Sequence, residues 1–98
     1  MALLHIALQE GFTGEPVAIA VDGQEIYRKD QVRTRTQIGH ADSVETTHDA
    51  GPARIEIRAR GTSSTLTPTI AGDLYLAVSI SADGRIDHRA SSQPFRYM

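Results

Sequence analysis

Four histidines, His5, His40, His48 and His88, are the side chains of widest chemical range in this sequence. His40-Ala41-Asp42 followed by His48-Asp49 comes nearest to a ligand or acid–base set, because imidazole nitrogen and carboxylate oxygen both suit zinc or iron. Residues two apart on a strand share a face, so His40 and Asp42 are able to approach one ion. No helical histidine pair backs them, and a loop rich in Asp and His is ordinarily just solvated. His40, Asp42 and His48 therefore stand as a runner-up reading, a small hydrolase or metal-dependent enzyme. Nucleophilic chemistry has less to build on. Ser63-Ser64 follows Gly61 in a turn, there is no Gly-x-Ser-x-Gly elbow, and no Gly-rich phosphate loop occurs. Cysteine is absent, which excludes disulfides, zinc–thiolate sites and thiol nucleophiles. No catalytic residue, no metal ligand and no cofactor are assigned.

Charge offers a second candidate. Seven of the ten basic residues lie between Arg28 and Arg60. If the segment carrying Arg35 lies beside the strand carrying Arg54 and Arg58, these three form a basic surface for an anionic ligand or an acidic partner. The plainer reading, a solvated strand face with Asp30, Glu45 and Glu56 interleaved, is preferred. The net charge of −2 and the near absence of aromatics from this region leave nucleic acid unexpected. Five aromatic residues in all are too few both to fill a core and to line a sugar groove. A third candidate is the end of the chain, where Pro94, Phe95, Tyr97 and Met98 form an apolar tail. Such a tail caps its own domain or docks on a neighbouring subunit, where it also shields an edge strand.

The elements that must position these residues read as strands throughout. Leu4, Ile6 and Leu8 alternate with smaller or polar residues, as do Val17, Ile19 and Val21. Ile55, Ile57 and Ala59 alternate with Arg54, Glu56, Arg58 and Arg60, the pattern of a sheet with one wet face. Leu74, Leu76, Val78 and Ile80 form the longest apolar stripe and predict a central strand. Val44–His48 is a weaker strand, and Thr65–Ile70 is predicted as an edge strand because Pro68 has no N–H for a ladder. Asp22-Gly23 predicts a two-residue hairpin turn that sets Ile19 opposite Ile26. At Asp83-Gly84 a three-residue loop with left-handed Gly84 is predicted, because it sets Ile86 opposite Ile80. The stretch from Arg28 to Asp42 reads as a crossover loop with room for one edge strand.

The segments Val21–Arg28, Ile38–Glu45 and Ser92–Met98 resemble a group of short bacterial proteins with no attached activity. That resemblance covers most of the chain and implies a stand-alone bacterial sandwich, but it transfers no functional residue. The size is also similar to that of the transthyretin-like hydroxyisourate hydrolases, small tetrameric β-sandwiches ending in Tyr-Arg-Gly-Ser. Here the end is Phe95-Arg96-Tyr97-Met98, and His5 does not match the family's N-terminal histidine motif. Only the general architecture carries over.

The sequence thus predicts one all-β domain over residues 1–98, an antiparallel β-sandwich of about 7–8 strands with immunoglobulin- or transthyretin-like architecture. The expected function is a non-catalytic binding or assembly module that self-associates or docks on a protein partner. No stretch approaches 18 apolar residues and no signal peptide is recognisable, so a cytoplasmic location without membrane contact is the expectation.

Overall fold

The computed structural model describes residues 2–34, 41–59 and 61–91. Ten strands follow one another: β1 (Ala2–Leu8), β2 (Thr13–Val21), β3 (Gln24–Arg33), β4 (Asp42–His48), β5 (Gly51–Pro52), β6 (Ile55–Ala59), β7 (Thr62–Leu66), β8 (Thr69–Ile70), β9 (Leu74–Ile80) and β10 (Ile86–Ser91). They build two four-stranded sheets, β10-β9-β1-β4 and β3-β2-β6-β7, and a short ribbon of β5 with β8. No helix among the described residues is long and apolar enough to cross a membrane.

The period-two pattern dictates what lies between the sheets. Leu4, Ile6 and Leu8 of β1 and Leu76, Val78 and Ile80 of β9 point inward from one sheet. Val17, Ile19 and Val21 of β2 and Ile55, Ile57 and Ala59 of β6 point inward from the other. Phe12 and Val32, each 2% exposed, join the same cluster. Each fully buried aliphatic side chain contributes about 1.5–3 kcal/mol, so this alternation outweighs any local preference of the chain. Among the described residues the core contains no buried polar or charged residue.

Both turn predictions can be checked against register. Asp22 (φ 53°) and Gly23 (φ 82°) form the two-residue turn between Val21 and Gln24. Gly84 (φ 87°) closes the three-residue loop, and Ile86 stands opposite Ile80. Beyond the first turn the register departs from expectation. Ile19 pairs with Tyr27, not Ile26, because a bulge inserts one residue into β3 between the Ala20–Glu25 and Ile19–Tyr27 pairs. A bulge reverses the facing of every residue after it. Tyr27 therefore turns to the inner side and Arg28 to the outer.

Three further differences have physical causes. β1 lies parallel to β9, Leu4 beside Leu74 and Leu8 beside Val78, whereas every other pairing is antiparallel. Alternation encodes which face is buried but not which way the neighbour runs. The edge strand for which the crossover left room is the end of β3, which continues to Arg33 from the Asp22-Gly23 hairpin and is not a separate element, and β4 starts at Asp42. The expected Thr65–Ile70 strand is divided: β7 begins already at Thr62 and β8 is separate. Pro68 sits in the gap, where its carbonyl accepts from Ala53 N at 2.9 Å.

Candidate functional site

Asp42 and His48 occupy the two ends of β4, opposite Leu8 and Ala2 respectively. Six residue steps along the strand separate them, roughly 20 Å at about 3.4 Å per step. They do not converge. Each instead ties the edge of its sheet to the β2–β3 hairpin of the other. Tyr27 Oη donates to Asp42 Oδ2 at 2.8 Å, and Lys29 Nζ approaches the same oxygen at 3.5 Å. Partial burial raises the Asp42 carboxyl, but the bonds from Tyr27, Ser43 N–H and Lys29 outweigh it and hold the group below its ordinary value. Burial, followed by the Asp42 hydrogen bond, pushes the Tyr27 hydroxyl well above its usual range.

At the other end, His48 Nε2 lies 2.6 Å from Asp22 Oδ2 and His48 Nδ1 lies 2.6 Å from the Asp49 carbonyl oxygen. Both partners only accept, so the doubly protonated ring alone satisfies the geometry. Asp22 Oδ1 meanwhile accepts from Arg54 N at 2.8 Å. The His48 ring is accordingly raised above its ordinary value, first by Asp22, and the Asp22 carboxyl is lowered, first by the Arg54 N–H and then by His48. A raised imidazole stabilises the fold below its ordinary pKa of about 6.5 and loses that contribution as pH rises through the folded value. A lowered carboxylate stabilises above its ordinary value of about 3.9 and loses the contribution as pH falls through the folded value. The tie is therefore strongest between about pH 4 and 6.5. Calorimetry from pH 5 to 8.5 should show wild-type thermal stability declining across the upper half of that range, with a flatter profile for His48→Gln. Parallel profiles would remove the tie.

The other histidines are placed apart from these. His5 lies on the outer face of the β10-β9-β1-β4 sheet, with Nδ1 3.0 Å from Glu45 Oε2 and its ring centroid 5.6 Å from that of Tyr75. His88 stands on β10, exposed, opposite Val78. Among the described residues, no group of three His, Asp or Glu side chains is arranged to hold a metal ion. His40, Arg35 and the tail residues Pro94, Phe95, Tyr97 and Met98 lie outside the described residues.

Arg54 and Arg58 do share a surface, and it has a definite shape. On the outer face of the β3-β2-β6-β7 sheet, β2 presents only Pro16, Ala18 and Ala20. Its neighbours carry long charged side chains in register with that floor. Arg28 and Arg58 flank Ala18, whereas Glu25 and Glu56 flank Ala20. The result is an open trough. A hollow of about 350 Å³ lies over Ala18 and Ala20, with Arg54 at its Gly23 end. A second hollow of about 600 Å³ continues towards Pro16 and shares Arg28 and Arg58.

Within each wall, Arg28 Nε is 2.5 Å from Glu25 Oε1 and Arg58 Nη2 is 2.8 Å from Glu56 Oε1. The two arginine side chains are 72% and 69% exposed. Exposed pairs of this kind contribute only about 0–1 kcal/mol, so a partner's charges can displace them. The face is thus striped with both signs, not uniformly basic. Sequence reasoning counted Arg28 among the clustered basic residues but placed it in the crossover segment, whereas it stands on β3 opposite Ala18.

A scan against protein-family models matches none of them to this chain, and no curated protein matches it. The trough, the two ties and the His5–Glu45–Tyr75 row are the features from which function can be argued.

Proposed function

We propose that this domain is a non-catalytic binding or assembly module that docks on a protein surface through the trough on the β3-β2-β6-β7 sheet. The observation that carries this reading is the composition of β2. A central strand facing solvent gains from β-branched or long polar side chains, and alanine is disfavoured there. Pro16, Ala18 and Ala20 in succession leave the middle of the face low enough for another surface to approach. The charged walls then supply orientation. Two opposed four-stranded sheets support an immunoglobulin- or transthyretin-like arrangement, and the absence of cysteine agrees with a bacterial, cytoplasmic setting. The enzyme alternative is not favoured, since Asp42 and His48 sit at opposite ends of one strand and each is engaged in a tie between sheets.

Filling the floor tests the proposal. Ala20→Arg points away from the core, so thermal unfolding should stay within about 2 °C of wild type, as expected for a surface substitution. Wild-type protein should either associate in sedimentation runs or enrich peptide ligands from a random display library, and the filled variant should lose that behaviour. A wild type that remains monomeric and enriches no ligand sensitive to Ala20→Arg overturns the reading.

A further inference from the structure

Resting on that reading, we infer that the occupant of the trough is a second copy of this chain, packed face to face about a two-fold axis that crosses β2 at the level of Ile19. The Arg and Glu rows that flank Ala18 and Ala20 are complementary to themselves under that operation and not under a two-fold along the strands. Arg28 and Arg58 form one row, flanking Ala18, and Glu25 and Glu56 form the next, flanking Ala20. A two-fold axis lying in the interface across the strands exchanges the two levels. It sets the arginine row of one copy over the glutamate row of the other, twice. An axis along the strands would set arginine on arginine and glutamate on glutamate, which is repulsive and specifies the first arrangement.

Shape agrees with charge. The hollow of about 350 Å³ over Ala18 and Ala20 leaves the long side chains of both walls room to lean inward as the two faces meet. There they exchange an exposed pairing within their own strand for one across the interface. Aligned sheets pack about 10 Å apart, within reach of an arginine. The molecule measures 34 × 29 × 20 Å, and a broad face of that size accommodates the roughly 800 Å² per partner of a stable interface. Isologous contact also requires each patch to be complementary to itself, which a striped face satisfies and a single-sign face does not.

The test is a charge exchange. Sedimentation equilibrium should give wild-type protein twice the 10.6 kDa of one chain, with dissociation promoted by 1 M NaCl. The double variant Arg28→Glu/Arg58→Glu carries an all-acidic face, and Glu25→Arg/Glu56→Arg an all-basic one. Each alone should weaken dimerisation by about a hundredfold or more, and an equimolar mixture should restore a dimer containing one of each. All four positions lie on the sheet's outer face, and a wild-type strand signature in circular dichroism checks that each variant folds. A wild-type dimer indifferent to salt and to both double variants overturns the geometry while leaving the docking reading in place. A monomeric wild type that still enriches trough-dependent peptides overturns self-association alone. Failure of both the dimer and the peptide selection overturns the docking reading itself.

Discussion

Gly11→Ala is expected to destabilise the domain by about 4 kcal/mol, a large share of the 5–15 kcal/mol that holds a typical domain folded. Gly11 follows β1 with φ +89°, and a Cβ built there falls 1.9 Å from the carbonyl oxygen of Ile80 and 2.7 Å from its carbon. Both atoms are backbone, so no side chain can swing aside. The close approach exists because the parallel β1–β9 ladder continues past the end of β1: Gln9 N donates to Val78 O and Ile80 N to Glu10 O, each at 2.8 Å. Relieving the clash means parting two interior strands or surrendering those bonds. Gly61→Ala supplies the control. Its φ is +71° and nothing lies within 4 Å of its Cβ position, so only the left-handed penalty of about 1–2 kcal/mol applies. Urea unfolding of both variants separates strain from collision, and equal losses would show that the parallel junction is not where the structure places it.

Ile57→Ala is expected to lose about 3 kcal/mol, within the 2–5 kcal/mol usual for such a truncation in a close-packed core. Ile57 is 0% exposed and stands opposite Ile19 in the pairing that joins β6 to β2. These are the two strands that carry the trough, yet their inner and outer faces have opposite demands. Ile57 anchors the sheet from within, while Ala20 on the far side is expected to accept arginine within about 0.5 kcal/mol. Denaturant titrations of Ile57→Ala and Ala20→Arg therefore form one experiment on facing. At a protein concentration where the chain is monomeric, Ala20→Arg as damaging as Ile57→Ala would mean that residue 20 is packed within the fold and that the trough is not an open face.

Much of the architecture is legible in the residue pattern, and particular segments show why. Ile55, Ile57 and Ala59 alternate with charged residues so cleanly that their burial needs no knowledge of the partner strand. Asp22-Gly23 and Asp83-Gly84 each point to one turn length because the wrong length would set Ile19 opposite Glu25 or Ile86 opposite Ser81. The same reasoning goes astray at Ile26. There a bulge makes Ile19 meet Tyr27 while Ile26 and Tyr27 both pack against the core, and no local signal marks that irregularity.

The candidate site inherits that division. Arg54 and Arg58 are visible as an alternating pair in one strand, and Asp42 and His48 are conspicuous by chemistry. Their roles depend on groups far along the chain: His48 on Asp22, Asp42 on Tyr27, and His5 on Glu45, forty residues away. Side-chain period and turn chemistry act over a few residues, so the amino-acid order alone specified the all-β class, the buried faces of β1, β2, β6 and β9 and the two tight reversals. Strand direction, the β3 bulge and the rows of Arg and Glu across β2 arise only when distant segments compete for one hydrogen-bonding edge, and that competition is resolved in three dimensions.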